Sequence, residues 1–190
     1  MRYGRVIEGK TVRLRDIRDD DAEVTFKMRS DPEKSRYIHG ATGTVEDQLS
    51  FIRKQEGKPG DWLFAIEDTT GKIIGMKGVY EYDPETGHVE TGRFMCFGSQ
   101  LQSVEALMLS FDFCFDVLGV DEIVMSALSE NTNMRGMQDR FGVRVTHSIY
   151  QPEFGCESVY SVLTKEAYAK TRPGISSLID RFAERMGGIR

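Results

Sequence analysis

Residues Val89–Val143 read VETGRFMCFGSQLQSVEALMLSFDFCFDVLGVDEIVMSALSENTNMRGMQDRFGV. They predict a strand, a long helix, a second strand and a short helix in that order. Val104, Leu107, Met108, Phe111, Phe115 and Leu118 recur at helical spacing, so one face of the long helix is apolar. Gly119 ends it, and Ser99 with Gln102 has the spacing of a capping box, so the helix starts within Ser99–Ser103. A strand that delivers the chain to a helix N-terminus makes an anion site, because unpaired N–H groups and the helix dipole converge there. A phosphate or pyrophosphate pocket has this physical core.

Outward from this unit the pattern alternates without internal repeats. A strand is expected over Thr11–Arg15 and a helix over Asp19–Arg29, entered through aspartates. Thr44–Gln55 reads as a helix capped by Thr44, and Gly57–Gly60 breaks it. Trp62–Glu67 and Ile73–Tyr82 form a hairpin around Asp68–Lys72, and Asp83–Gly87 turns into the strand His88–Phe97. After the long helix come the strand Glu122–Leu128, a helix over Asn133–Arg140 and a closing antiparallel pair, Val143–Tyr150 with Glu157–Thr164. Early strands followed by a strand–helix–strand unit predict a mixed α/β sheet. The tail, residues 165–190, differs in character: Ile175, Leu178, Ile179, Phe182 and Met186 make an apolar stripe after Pro173. It is expected to pack on its own domain, residues 1–164, or on a partner subunit in a homodimer.

A chain of 190 residues, 39% hydrophobic and 29% charged, can bury one sizeable core. Its net charge of -5 argues against nucleic acid as the main partner. No apolar run reaches the length of a membrane span, and the N-terminus has no signal-peptide core, so no membrane partner is expected. Cys96, Cys114 and Cys156 are an odd count without paired spacing, which fits a reduced, cytoplasmic setting. The three cysteines and three histidines show no metal-ligand spacing.

Two stretches carry a family resemblance. EGKTVRLRDIRDDDAEVTFKMRSDPE, from Glu8, resembles the first strand and helix of the ribosomal-protein and amino-sugar branches of the GNAT superfamily, the acyl-CoA-dependent N-acetyltransferases. SALSENTNMRGMQDRFGV, from Ser126, resembles that family's strand, asparagine turn, short helix and closing Gly-aromatic. The similarity spans Glu8 to Thr164. It implies a single-domain α/β GNAT-like mixed sheet with flanking helices, in which the strands His88–Phe97 and Glu122–Leu128 start parallel and then splay. It implies acetyl-CoA as co-substrate, its pantetheine along Arg93, Phe94, Met95, Cys96 and Phe97, and its pyrophosphate on the N–H groups of Gln102, Ser103 and Val104. Asn131 falls on the family's usual asparagine.

The chain departs from the family at the chemistry. The pyrophosphate loop is usually Gln/Arg-x-x-Gly-x-Gly/Ala; here Gly98–Ser103 is about two residues short and lacks the central glycine that lets backbone approach a phosphate closely. Met134 replaces a small or hydroxyl residue. Gln138 replaces the tyrosine that often protonates the departing CoA thiolate, and an amide cannot serve as an acid. Another residue does that work, the thiolate leaves to solvent, or acetyl transfer is not the function.

Amide formation from a thioester needs a base for the amine's proton and a donor for the thioester oxygen. Glu90 is the candidate base, on the strand beside the donor site, and alternation would place Glu90, Gly92, Phe94 and Cys96 on one face. A solvated or salt-bridged carboxylate is the plainer alternative. Tyr80 and Tyr82 would share a face as substrate contacts or as packing aromatics. Arg93, in "ETGRF", resembles amino-sugar enzymes, where its planar fork would hold a phosphate or carboxylate. Arg29, Arg36, Tyr37 and His39 fall where the family builds its acceptor site. Cys96 has no paired His and Asp in sequence, so it is not read as a nucleophile. Two functions are carried forward. One is an N-acetyltransferase acting on a small-molecule amine, a nucleotide-linked amino sugar ahead of a protein N-terminus. The other is a GNAT-shaped binding or regulatory domain without acetyl transfer.

Overall fold

A computed structural model describes residues 1–38 and 43–186. His39 lies outside the described residues. Along the chain run β1 (Ile7–Glu8), β2 (Val12–Asp16), α1 (Ala22–Arg29), α2 (Pro32–Ser35), α3 (Val45–Glu56), β3 (Trp62–Asp68), β4 (Ile73–Asp83) and β5 (His88–Cys96). There follow α4 (Gln100–Asp112), β6 (Glu122–Leu128), α5 (Thr132–Arg140), β7 (Arg144–Gln151), β8 (Cys156–Thr164) and α6 (Lys165–Met186). The eight strands form one sheet in the order β1-β2-β3-β4-β5-β6-β8-β7.

Every pair is antiparallel except β5 and β6, which run parallel and pair only at Glu90↔Val124 and Thr91↔Met125. Beyond Thr91 the two strands part, as the resemblance implies. Backbone groups of β5 that would face β6 are thereby left without a strand partner among the described residues.

The helices that matter are held by local caps. Ser99 Oγ accepts from Gln102 N at 3.2 Å and Gln102 Oε1 accepts from Ser99 N at 2.8 Å, the expected reciprocal box. Thr44 and Asp47 repeat it at the head of α3. Gly119, in the left-handed region at φ 73°, closes a wider π turn, Phe113–Leu118, that continues α4.

Helix α4 is buried on more than one face. Its Glu105 accepts from the backbone N–H of Thr11 at 2.9 Å and from the Thr11 hydroxyl, tying the β1–β2 turn to the helix. One face of the sheet (Leu14, Phe64, Ile66, Val79, Val89, Ile123) packs on Val104, Leu107 and Phe111 of α4 and on Tyr168, Ile175 and Ile179 of α6. The other face offers Leu63, Met76 and Met95 to Ile17, Ala22 and Ile52.

The tail, expected as a helical extension over 165–190, is one long helix, Lys165–Met186. Helix α6 begins at Lys165, with Pro173 inside it rather than ahead of it. Its first turns are fixed by Tyr168, whose hydroxyl donates to Asp112 Oδ1 at 2.7 Å, and by Arg172, which pairs with both Asp112 oxygens. No helix among the described residues is long and apolar enough to cross a membrane.

Candidate active site

Three cavities lie around the parting of β5 and β6. On the α1–α3 side a cavity of about 430 Å³ is lined by Arg29, Tyr37, Phe51, Tyr80, Gly92, Arg93 and Met95, with Ser126–Leu128 of β6 and Gln151, Glu153 and Tyr160 of the β7–β8 hairpin. Beside the head of α4 a larger one, about 730 Å³, is lined by Phe94–Gly98, Gln100, Ser103, Asn131, Asn133, Met134, Met137 and by Glu33, Arg36 and Tyr37. A third, about 80 Å³, lies at the split itself. It shares Gly92, Arg93, Ser126 and Ala127 with the first and Phe94, Asn131 and Met134 with the second, so it lies between them.

Two left-handed residues shape this region and overturn simple alternation. Arg93 sits at φ 49° and Glu81 at φ 56°, each where the β4–β5 register slips. A bulge inserts one residue and reverses which way the next side chains point. Glu90 and Gly92 therefore do not share a face with Phe94 and Cys96: Phe94 and Cys96 pack toward α4, while Met95 and Phe97 pack with the opposite cluster. Tyr80 and Tyr82 separate for the same reason. Tyr80 lines the first cavity, whereas Tyr82 packs on Trp62 (5.8 Å between rings) and donates to Leu118 O at 3.3 Å. Tyr82 is thus a packing residue.

The cavity on the α1–α3 side is electrostatically distinctive. Arg93 donates to the fully buried Asp61 at 2.8 Å, and its guanidinium lies 4.2 Å over the Tyr80 ring. Arg29 donates to Gln48 Oε1 at 3.0 Å and lies over Phe51 at 5.1 Å. Burial, then the neighbouring Arg93 charge, lowers the Arg29 pKa. Burial and the nearby Glu90 push the Tyr80 phenol up to about 12, so it stays a donor. A Cβ at Gly92 would meet the Tyr80 hydroxyl oxygen at 2.4 Å, which explains the glycine: the phenol lies across that strand position.

Glu90 stands on β5 opposite Tyr80 and two residues before Gly92, outside the lining of the three cavities. His88 Nε2 is 3.6 Å from it. Burial and the Glu81 carboxylate raise its pKa.

At the head of α4 the pyrophosphate expectation shifts. Gln102 N is taken by Ser99 Oγ and Ser103 N by Ser99 O, and Val104 is buried in the core. The N–H groups of Gln100 and Leu101 are the ones at this helix end without a partner among the described residues. An anion would therefore meet Gly98–Leu101, with Ser103 beside it, rather than Gln102–Val104. Asn131 caps α5, its Oδ1 accepting from Met134 N at 3.1 Å, and it lines the second and third cavities.

Sequence reading missed two features. Lys77, on β4, is only 2% exposed and lines the central cavity, its Nζ 5.8 Å from the Phe94 ring centre and 5.9 Å from that of Phe111. Burial pulls its pKa down to about 7. The signal was present: it is the one charge in the otherwise apolar run Ile73–Tyr80. The β7–β8 hairpin was the other omission. It reaches the cavity because β8, not β7, pairs with β6.

A family model described as an acetyltransferase (GNAT) domain matches residues 11–144. The chain belongs to the GNAT family. Its fold is similar to a GCN5-related N-acetyltransferase from Brucella melitensis, 20% identical over 94% of this chain and 85% of that one, TM-score 0.75. It is similar to apo FdhC, a nucleotide-linked sugar GNAT (20% identity, 86% and 92% covered, TM-score 0.73). It is likewise similar to spermidine N-acetyltransferase from Vibrio cholerae in complex with CoA and spermine (12% identity, 84% and 98% covered, TM-score 0.75). Identities this low establish a shared GNAT fold. No curated protein matches the sequence.

Proposed function

We propose that this GNAT domain transfers an acetyl group from acetyl-CoA to the primary amine of a small molecule that also carries an anionic group, a nucleotide-linked amino sugar among the candidates. One observation carries the reading: a small cavity at the β5–β6 split shares lining residues both with a groove at the α4 N-terminus and with a separate cavity on the α1–α3 side. Donor and acceptor could thus approach from opposite faces and meet between the strands.

The donor groove suits acetyl-CoA. The Gly92–Met95 stretch of β5, not paired with β6, matches the amides of pantetheine, and the N–H groups of Gln100 and Leu101 match a pyrophosphate. When bound, acetyl-CoA supplies the acetyl group as an activated thioester. The chain's own residues do the rest. Exposed β5 N–H groups offer hydrogen bonds to the thioester oxygen as charge develops on it. Tyr80, protonated throughout the physiological range, orients the incoming amine. Glu90, the cross-strand partner of Tyr80 on β5, takes the amine's proton through water; its raised pKa brings it nearer the working pH of a base.

Arg29 and Arg93 on the acceptor wall offer planar N–H forks to an anionic acceptor, Arg93 with its charge already balanced by Asp61 and with Glu153 on the same wall. That argument aligns this chain with the nucleotide-linked sugar relative rather than the spermidine one. Three cysteines, none in a disulfide among the described residues, fit a reducing, cytoplasmic setting.

The capping box supports a second reading, a binding or regulatory domain, since it engages N–H groups that the family's glycine loop leaves open. Thermal-shift titration with acetyl-CoA, followed by thiol release against amines that include nucleotide-linked amino sugars and polyamines, tests both. Binding with turnover of anionic amines supports the proposal. Absence of any acetyl-CoA-dependent stabilisation removes it.

A further inference from the structure

We propose that Lys77 is the catalytic acid that protonates the departing CoA thiolate, doing from β4 what Gln138 on α5 cannot; the inference rests on the acetyltransferase reading above. Lys77 and Gln138 line the same small cavity at the β5–β6 split, where donor and acceptor grooves meet. A lysine buried to this degree is ordinarily paired with a carboxylate. Here no carboxylate among the described residues lies within ion-pair distance of it, and its surroundings are the Phe94 and Phe111 rings and the Cys114 thiol.

Cys114 does not supply the missing anion, because burial pushes its thiol up to about 12. From β5, Arg93 also lines the cavity, but its guanidinium is held by Asp61. From α4 and α5 the facing groups, Phe111 and Gln138, carry no charge. A second polar atom waits in the same place. Thr91 Oγ1 is buried, lines the cavity and has no hydrogen-bond partner among the described residues. The cavity therefore presents a cation without an anion and a hydroxyl without a partner. A thiolate sulfur forming between the parted strands satisfies both.

The step balances without another reactant. The amine nitrogen forms the new C–N bond, the C–S bond breaks, and sulfur keeps the electron pair. The Lys77 ammonium gives its proton to sulfur, producing the CoA thiol and a neutral lysine amine. That amine regains a proton from solvent before the next cycle. A lysine whose pKa lies near neutrality is suited to give and regain a proton in each cycle.

The test needs no knowledge of the acceptor. The thiol of bound CoA is titrated by thiolate ultraviolet absorbance on the wild type and on Lys77→Met, with desulfo-CoA as the binding control. An ammonium beside the sulfur favours thiolate over a site that lacks the charge, so the wild type should ionise bound CoA at lower pH than the variant does. Once an acceptor is in hand, Lys77→Met should lower kcat roughly a hundredfold with acetyl-CoA affinity changed little. Should the variant fold poorly, ¹⁵N-lysine titration of the wild type replaces it, with CoA shifting the Lys77 signal and desulfo-CoA leaving it in place. Identical thiol titrations in wild type and variant, or a Lys77 signal indifferent to the sulfur, overturn the assignment while leaving the acetyltransferase reading intact. Failure of both CoA and desulfo-CoA to bind overturns the two together.

Discussion

Replacing Lys77 by methionine should stabilise the protein, and by an amount that grows as the pH falls. Methionine has a similar length and no charge to bury, so packing against Phe94 and Phe111 is largely kept. In the native state the Lys77 pKa falls from its ordinary 10.5 to about 7. Between those values the unfolded chain holds a proton that the native protein does not, so wild-type stability drops as pH falls through this window and levels off below about 7. The variant lacks the group and lacks the drop. From pH 9 to pH 6 the gap between the two should widen by roughly 2.5 kcal/mol, or about 5–10 °C in Tm for a chain of this size. Urea melts followed by the single tryptophan, the buried Trp62, give the free energies. Comparing two pH values removes any constant packing difference between the side chains. A gap that stays flat would falsify the argument, since it would mean that Lys77 is solvated and charged in the native protein at both pH values.

Glu90→Gln should reduce turnover about a hundredfold with acetyl-CoA binding little changed, and Gln138→Ala should leave most activity; normal turnover of the Glu90 variant across the pH range would place the base elsewhere. Ser103→Glu sets a carboxylate beside Gly98–Leu101, so calorimetry should register at least a tenfold weaker affinity for acetyl-CoA; equal affinity would move the phosphates away from α4. Arg93→Ala leaves the buried Asp61 carboxylate with only the more distant Lys58 ammonium, at 3.7 Å, and should lose roughly 3 kcal/mol of folding stability, much of it recovered when Asp61→Asn is added. A double variant no more stable than Arg93→Ala would show that the ion pair is not the source of the loss.

The parts of the fold that were legible in the sequence are those fixed by short-range chemistry. Ser99 and Gln102, or Thr44 and Asp47, satisfy each other within one helical turn, so four residues suffice to place a helix start. Gly119 carries the information to end α4 in itself. The apolar stripe of α6 was visible too, but its first turns are fixed from outside by Asp112 of α4, which the local sequence could not reveal. Likewise β7 and β8 were found as a pair, whereas the choice of β8 as the neighbour of β6 is a long-range decision that brings Tyr160 and Glu153 to the cavity.

The site was read less well for a related reason. Period-two alternation assumes an unbroken ladder, and the ladder is broken at Glu81 and at Arg93. Neither is a glycine, so nothing in the local sequence marks a left-handed residue there. The side chains and their partners hold Arg93 in place: its guanidinium is fixed between Asp61 and the Tyr80 ring. That bulge has two effects. It turns Phe94 toward Lys77 and α4, and Met95 toward the acceptor side, just where β5 leaves β6. A regular strand would have sent Phe94 to the face of Gly92 and Tyr80, filling the acceptor cavity and leaving Lys77 without one of its two aromatic neighbours. The irregularity that defeats alternation is therefore the one that lines the two neighbouring cavities differently, arginines and a phenol on one side, a buried lysine among rings at the split.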